Sequence, residues 1–248
     1  MKSRESRDRA GADQEPRHQE GLEELRAFIA GDLEEADVPL VRRLLRHPYA
    51  DQELVEAVMA RPRLLTSYKI RRDIARHPKS PQVHAMRFLP GLYWRDLLEL
   101  SVDTRLLPVL RRSAERQILE RLPGLSLGER MAIARRAGHG LLMHLRHDGH
   151  QRVIAAMMEN PRMTQGVIMP LVASDGAAPE ILRLVAANRR WGRLYMVRLA
   201  LARNPRTPPV VACDLLSGLR KNDIRAVSGN QRLAPQVRRR AKLLLGEG

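Results

Sequence analysis

The chain has 248 residues, 44% hydrophobic, 29% charged and 3% aromatic, with a net charge of +16 from 44 lysines and arginines against 28 acids. That is enough apolar content for one large domain or two small ones, and too much for a wholly disordered chain. One cysteine, Cys213, excludes a disulfide framework and any cysteine-based zinc or iron–sulfur site within a single chain, and no apolar run approaches the roughly 20 residues of a membrane span.

Residues 1–19 are polar and charge-mixed, with no hydrophobic period and no secretory signal core. They are expected to form a disordered tail on a cytoplasmic protein, followed by a single helical-repeat domain over 20–248. An acidic shoulder spans 21–60, and the body from 61 onward is strongly basic. From Gly21 the pattern is helical: apolar residues recur at three- and four-residue spacing in LEELRAFIA, LVRRLLRH, ELVEAVMAR, RQILERL and RVIAAMMEN. No stretch alternates as a strand would, so the fold class is all-α.

The helices are short and similarly punctuated. RDIARHPKSPQV, AAMMENPRMTQGV and LALARNPRTPPVV each end a helix in His-Pro or Asn-Pro, with weaker copies at 42–55 and 226–237. Proline cannot continue the preceding helix and biases the residue before it out of the helical region. His47, His77, Asn160 and Asn204 share the slot before it, which suits a polar side chain able to bond the corner. Ser80 and Thr207 are placed to cap the next helix, with Pro81 and Pro208 at its first position. Asp148-Gly149 and Asp175-Gly176 mark a second corner, with Asp148 read as an N-cap. The Asp148–Asp175 offset is 27 residues and the Asn160–Asn188 offset 28. A two-helix unit of about 28 residues cannot bury its apolar face alone and must stack on its neighbours, giving an α-solenoid of short helix pairs. Spacing between the proline corners is irregular, and residues 86–147 fit the repeat poorly.

The segment MVRLALARNPRTPPVVACDLL, residues 196–216, resembles the leucine-rich repeat variant and the wider HEAT-like helical repeats of bacterial proteins. The resemblance implies binding along a concave surface and names no ligand. The iron–sulfur module found beside some leucine-rich variant repeats lacks its cysteines here.

No phosphate-loop, dinucleotide, serine-hydrolase or zinc-protease motif is present. His139, His144, His147 and His150 with Asp148 offer metal-ligand types, but Asp148 falls in repeat register with Asp175, which favours a corner role, and no metal or cofactor is assigned. The chain is also similar in size, helicity and basicity to the HEAT-like alkylpurine DNA glycosylases. Trp94, Asp96 and Trp191 are of the residue types found there, but no motif matches and no catalytic role carries over. The alternative is that both tryptophans fill packing between repeats. Cys213 lies in an apolar helix and reads as core.

The excess arginine has two readings, solvated helix faces or attraction of an anionic partner. Arg71, Arg111, Arg152, Arg189, Arg190, Trp191, Arg193, Arg198 and Arg225 are the candidate binding residues. A non-enzymatic scaffold for a protein partner is the expected function. The alternative is a basic solenoid holding nucleic acid through Arg–phosphate contacts.

Overall fold

The structure, a computed structural model, describes residues 23, 26–31 and 36–247. The expected tail over 1–19 lies outside the described residues. Among those described there is no strand, and no helix is long and apolar enough to cross a membrane. The chain divides into two compact units, residues 1–120 and 121–248.

Unit 1 contains α1 (Val38–Leu44), α2 (Gln52–Met59), α3 (Pro62–Leu65), α4 (Tyr68–Arg76), α5 (Gln82–Phe88), α6 (Trp94–Val102) and α7 (Pro108–Arg121), the last reaching the boundary. Unit 2 contains α8 (Leu127–Arg136), α9 (His139–Leu145), α10 (Gln151–Glu159), α11 (Gln165–Ala173), α12 (Pro179–Ala187), α13 (Tyr195–Arg203), α14 (Pro209–Leu216), α15 (Lys221–Gly229) and α16 (Pro235–Leu245). Packing is between near neighbours in sequence. In unit 1, α4 packs on α1 and α5; in unit 2, α10 lies between α8 and α12, and α13 contacts α11, α14 and α15. The three- and four-residue apolar spacing becomes a buried stripe: Val153, Ile154, Met157 and Met158 on α10, and Val197, Leu201 and Ala202 on α13. Each stripe is buried by the next helix, so the architecture is that of a helical repeat.

The corners explain why the helices are short. After α4, α10 and α13 the chain leaves the helix at His77, Asn160 and Asn204, whose ψ angles lie between 121° and 127°. The side chain of the corner residue accepts the amide two positions on: Lys79 N–H to His77 Nδ1 at 3.3 Å, and Arg162 and Arg206 N–H to the Asn160 and Asn204 amide oxygens at 2.8 Å. Its carbonyl accepts the amide three positions on, closing a turn with proline at the second position. Asp103, Asn188 and Asn230 make the same two bonds, except that the Asn188 carbonyl receives Gly192 N–H, four positions on. No proline follows these three residues. The side-chain acceptor, and not the proline, is therefore what the corners have in common.

Asn160 and Asn204 do more. The Asn160 amide nitrogen donates to the carbonyls of Ala134 and Ala137 at 2.8 and 3.1 Å, and that of Asn204 to Val172 and Ser174 at 2.7 and 2.9 Å. These carbonyls lie at the end of an earlier helix, so one side chain ends its own helix and docks it on another.

Three expectations about the corners change. Pro81 and Pro208 precede the first helical residues Gln82 and Pro209, and neither Ser80 nor Thr207 caps those helices. The Thr207 hydroxyl instead donates backward to the Leu201 carbonyl at 2.7 Å, sealing the helix just ended. Asp148 is not the N-cap of α10. That cap is His150, which accepts Arg152 N–H, while Asp148 sits in the corner slot and accepts His150 N–H.

The 86–147 stretch also reads differently once folded. Helices α4 to α7 and α13 to α16 are two copies of one module displaced by 127 residues, so Tyr68–Ala114 corresponds position by position to Tyr195–Ala241. The Tyr68 hydroxyl donates to Asp96 and accepts Tyr93 N–H; the Tyr195 hydroxyl donates to Asp223 and accepts Arg220 N–H. Burial and the adjacent Asp96 carboxylate push the Tyr68 phenol up to about 12.

Asn204→Ala removes three hydrogen bonds and leaves two carbonyls unpaired in a buried corner, for an expected loss of about 3 kcal/mol in unfolding free energy. Urea denaturation checks this; His77→Asn, which copies the second module into the first, should change stability by less than about 1 kcal/mol.

Candidate functional site

The position two residues after the corner slot carries a cation in corner after corner: Lys79 and Arg105 in unit 1, and Arg162, Arg190, Arg206 and Arg232 in unit 2. Each has its backbone N–H held by the slot side chain, so each exposed side chain leaves from a fixed backbone. Their charges are engaged to different degrees. Arg105 pairs with Asp103 at 2.7 Å and holds that carboxyl below the usual carboxylate range, against the opposing effect of burial. Arg232 pairs with Asp175 at 2.6 Å. Arg162 donates to the Arg136 carbonyl and Arg190 to that of Met163. The head groups of Lys79 and Arg206 have no partner among the described residues.

The arginines picked from the sequence are placed otherwise. Arg71 and Arg111 are half-buried in unit 1. Arg198, the counterpart of Arg71, donates to the Leu215 carbonyl at 3.2 Å and lies so close over Gly218 that a Cβ there would meet its guanidinium at 2.2 Å. It packs α13 against the end of α14. Arg111 and its counterpart Arg238 each bury their Nε, a shared environment that marks the pair as part of the module. In unit 2, Arg152, Arg198 and Arg225 stand eight, six and five positions before their corners. At 100° per residue they point in different directions around their helices and do not form one stripe.

Arg189, Arg190, Trp191 and Arg193 are brought together in the loop between α12 and α13. Trp191 is 2% exposed, donates its indole N–H to the Met158 carbonyl at 3.2 Å and carries the Arg190 guanidinium 4.5 Å over its ring. Gly192 is required beside it, because a Cβ would come within 2.1 Å of the Ala186 carbonyl oxygen. The tryptophan thus anchors the loop, and Arg189 and Arg193 remain exposed on it.

Of the other candidates, Asp96 is held by Tyr68 and lies 3.7 Å from Arg72, and Asp223 repeats the tyrosine contact in the second module. His139, His144 and His147 are exposed, His147 accepting from Arg146 Nε at 3.1 Å, while Asp148 is paired with Arg130 at 2.6 Å. No group of three or more potential metal ligands occurs among the described residues. Burial raises the Cys213 thiol pKa, which disfavours the thiolate. No family model, curated protein or solved structure matches the chain.

The corner cations were readable as the third letter of [HN]-P-[KR] at three corners and as D-x-R or N-x-R at the others. Their common register emerges only when the corners without proline are aligned with those that have it.

Burial of His77, reinforced by Lys79 and opposed by Asp51, lowers its pKa from the ordinary 6.5. The unfolded chain therefore takes up the proton first as pH falls. The contribution of this residue is complete above pH 6.5 and is lost progressively below it. The urea midpoint should drop between about pH 7.5 and 5.5, and His77→Asn should reduce that drop. An equal drop in the variant assigns the pH dependence elsewhere.

Proposed function

We propose that the protein is a non-enzymatic, HEAT-like helical-repeat scaffold that binds a protein partner through an acidic surface. The observation that carries this reading is the register of the corner cations, which recur on rigid turns at six corners, while the corners at His47, Asp148 and Ser174 carry Tyr49, His150 and Gly176 there. Acids are interleaved with them at Asp103 and Asp175. Val83 and its module counterpart Val210 are 76% and 73% exposed. Alternating cations, acids and single apolar side chains suit another protein's surface better than a uniform phosphate backbone. The second reading, a nucleic-acid-binding solenoid, is favoured by Arg162 and Arg206, exposed and without a carboxylate partner among the described residues.

Fluorescence anisotropy against a labelled glutamate-rich peptide and a labelled DNA duplex, across salt concentrations, tests the two. The scaffold reading expects peptide binding that weakens about tenfold in Arg162→Glu/Arg206→Glu, with no duplex binding at physiological salt. Duplex binding near micromolar with a log–log salt slope of about −4 or steeper transfers the function to nucleic acid.

A further inference from the structure

In unit 1 three successive corners enclose a cavity of about 580 Å³. Its wall holds Arg46, Arg72, Arg76, Lys79 and Arg105, with Asp73 the one acidic residue lining it among the described residues. Asp73 is nearly buried and gathers Arg42 at 2.8 Å, Arg46 at 3.3 Å and Arg72 at 3.2 Å. One carboxylate thus holds three guanidiniums in place and neutralises one charge. Arg76 leans on Glu99 and Arg105 on Asp103. Lys79 has no partner among the described residues.

The duplicated module supplies an internal control. Counting 127 residues on, Arg76, Lys79 and Arg105 correspond to the cations Arg203, Arg206 and Arg232, but Arg72 and Asp73 correspond to Leu199 and Ala200. In the second copy that helix carries an apolar pair at those two positions, with Met169 and Ala173 where unit 1 has Arg42 and Arg46, so the module can fold without this ion cluster. Burying a carboxylate costs stability unless it is fully paired, yet unit 1 spends a buried aspartate on holding arginines against an open cavity. That arrangement suits a site that must be ready for an anion.

We propose that this cavity binds a ligand carrying adjacent phosphate groups, a diphosphate or longer chain. Guanidiniums match phosphate oxygens in geometry as well as charge, and a diphosphate brings several negative charges within a few ångströms, matching cations drawn from three corners. Among the described residues, the imidazoles of His47 and His77 are the only aromatic rings in the wall. Recognition therefore stops at the phosphates and does not extend to stacking of a base. Free inorganic polyphosphate and the phosphate tail of a nucleotide share this chemistry. The site lies beyond the scaffold reading and does not depend on it.

Isothermal titration calorimetry of the full chain with pyrophosphate, tripolyphosphate, a nucleoside triphosphate and a hexaglutamate peptide tests the proposal. Pyrophosphate should bind at one site, tripolyphosphate more tightly. Arg72→Leu/Asp73→Ala, which gives α4 the pair that α13 carries at those positions, should weaken both at least tenfold; because it also takes the carboxylate from Arg42 and Arg46, thermal unfolding checks that it remains folded. Arg46→Ala, at an exposed side chain, should weaken them severalfold and keeps the test valid should the double variant unfold. Equal affinity for tripolyphosphate and the nucleotide identifies the inorganic chain as sufficient; nucleotide binding tighter than tripolyphosphate and weakened by the same variants keeps the site with the nucleotide as its source but overturns the limit to the phosphates. Absence of phosphate binding, unchanged affinity in the folded variants, or hexaglutamate binding as tightly as pyrophosphate overturns the proposal.

Discussion

A helix that ends every nine residues or so exposes amides and carbonyls that must find partners, and in this chain one side chain per corner supplies them. The residue after the helix accepts the amide two positions on, and its own carbonyl accepts one a step or two further. Asn160 and Asn204 also donate to two carbonyls at the end of an earlier helix. Each bond contributes on the order of 1 kcal/mol, but an unpaired buried carbonyl costs more than the bond gains. Turn, helix end and helix docking are thereby coupled at one position. The buried stripes add most of the apolar stabilisation, and the corners decide which stripe meets which.

The module displaced by 127 residues separates charges that both copies keep from charges that only one copy carries. Tyr68 with Asp96 recurs as Tyr195 with Asp223, Arg111 as Arg238, and Arg71 as Arg198. A feature kept in both copies with the same partners or burial is accounted for by packing. This applies to Asp96, whose carboxylate has the residue type of a catalytic acid but the contacts of a structural one. Arg72 and Asp73 do not recur, and they line the cavity where cations from three corners converge.

Rigid turns also change what a basic surface can do. Arginine on a long exposed helix spreads over many rotamers, and much of its attraction to an anion is offset by ordering. At the corners the backbone amide is already bonded, and several guanidiniums are already directed by a carbonyl, a ring or a carboxylate. Interleaved acids moderate the field of a strongly cationic chain, which favours selective contacts over indiscriminate binding of polyanions.

The all-α class, the short helices and the polar slot before Pro48, Pro78, Pro161 and Pro205 were legible in the amino-acid sequence, because helical period and the conformational limits of proline are local properties. Even the roughly 28-residue unit is a matter of spacing. The capping roles of Ser80, Thr207 and Asp148 were not legible, since the hydroxyl or carboxylate had several amides and carbonyls within reach and the packed corner chose among them. The arginines picked as a binding set were chosen by residue type and adjacency. Their directions depend on where each helix begins relative to its corner, and the fold turned Arg198 onto the Leu215 carbonyl and buried the Trp191 beside Arg190. Local chemistry was sufficient to say where helices stop. Only the tertiary structure decided which cations stay exposed and which converge, because that depends on contacts between residues about 30 positions apart, such as Arg42 and Asp73.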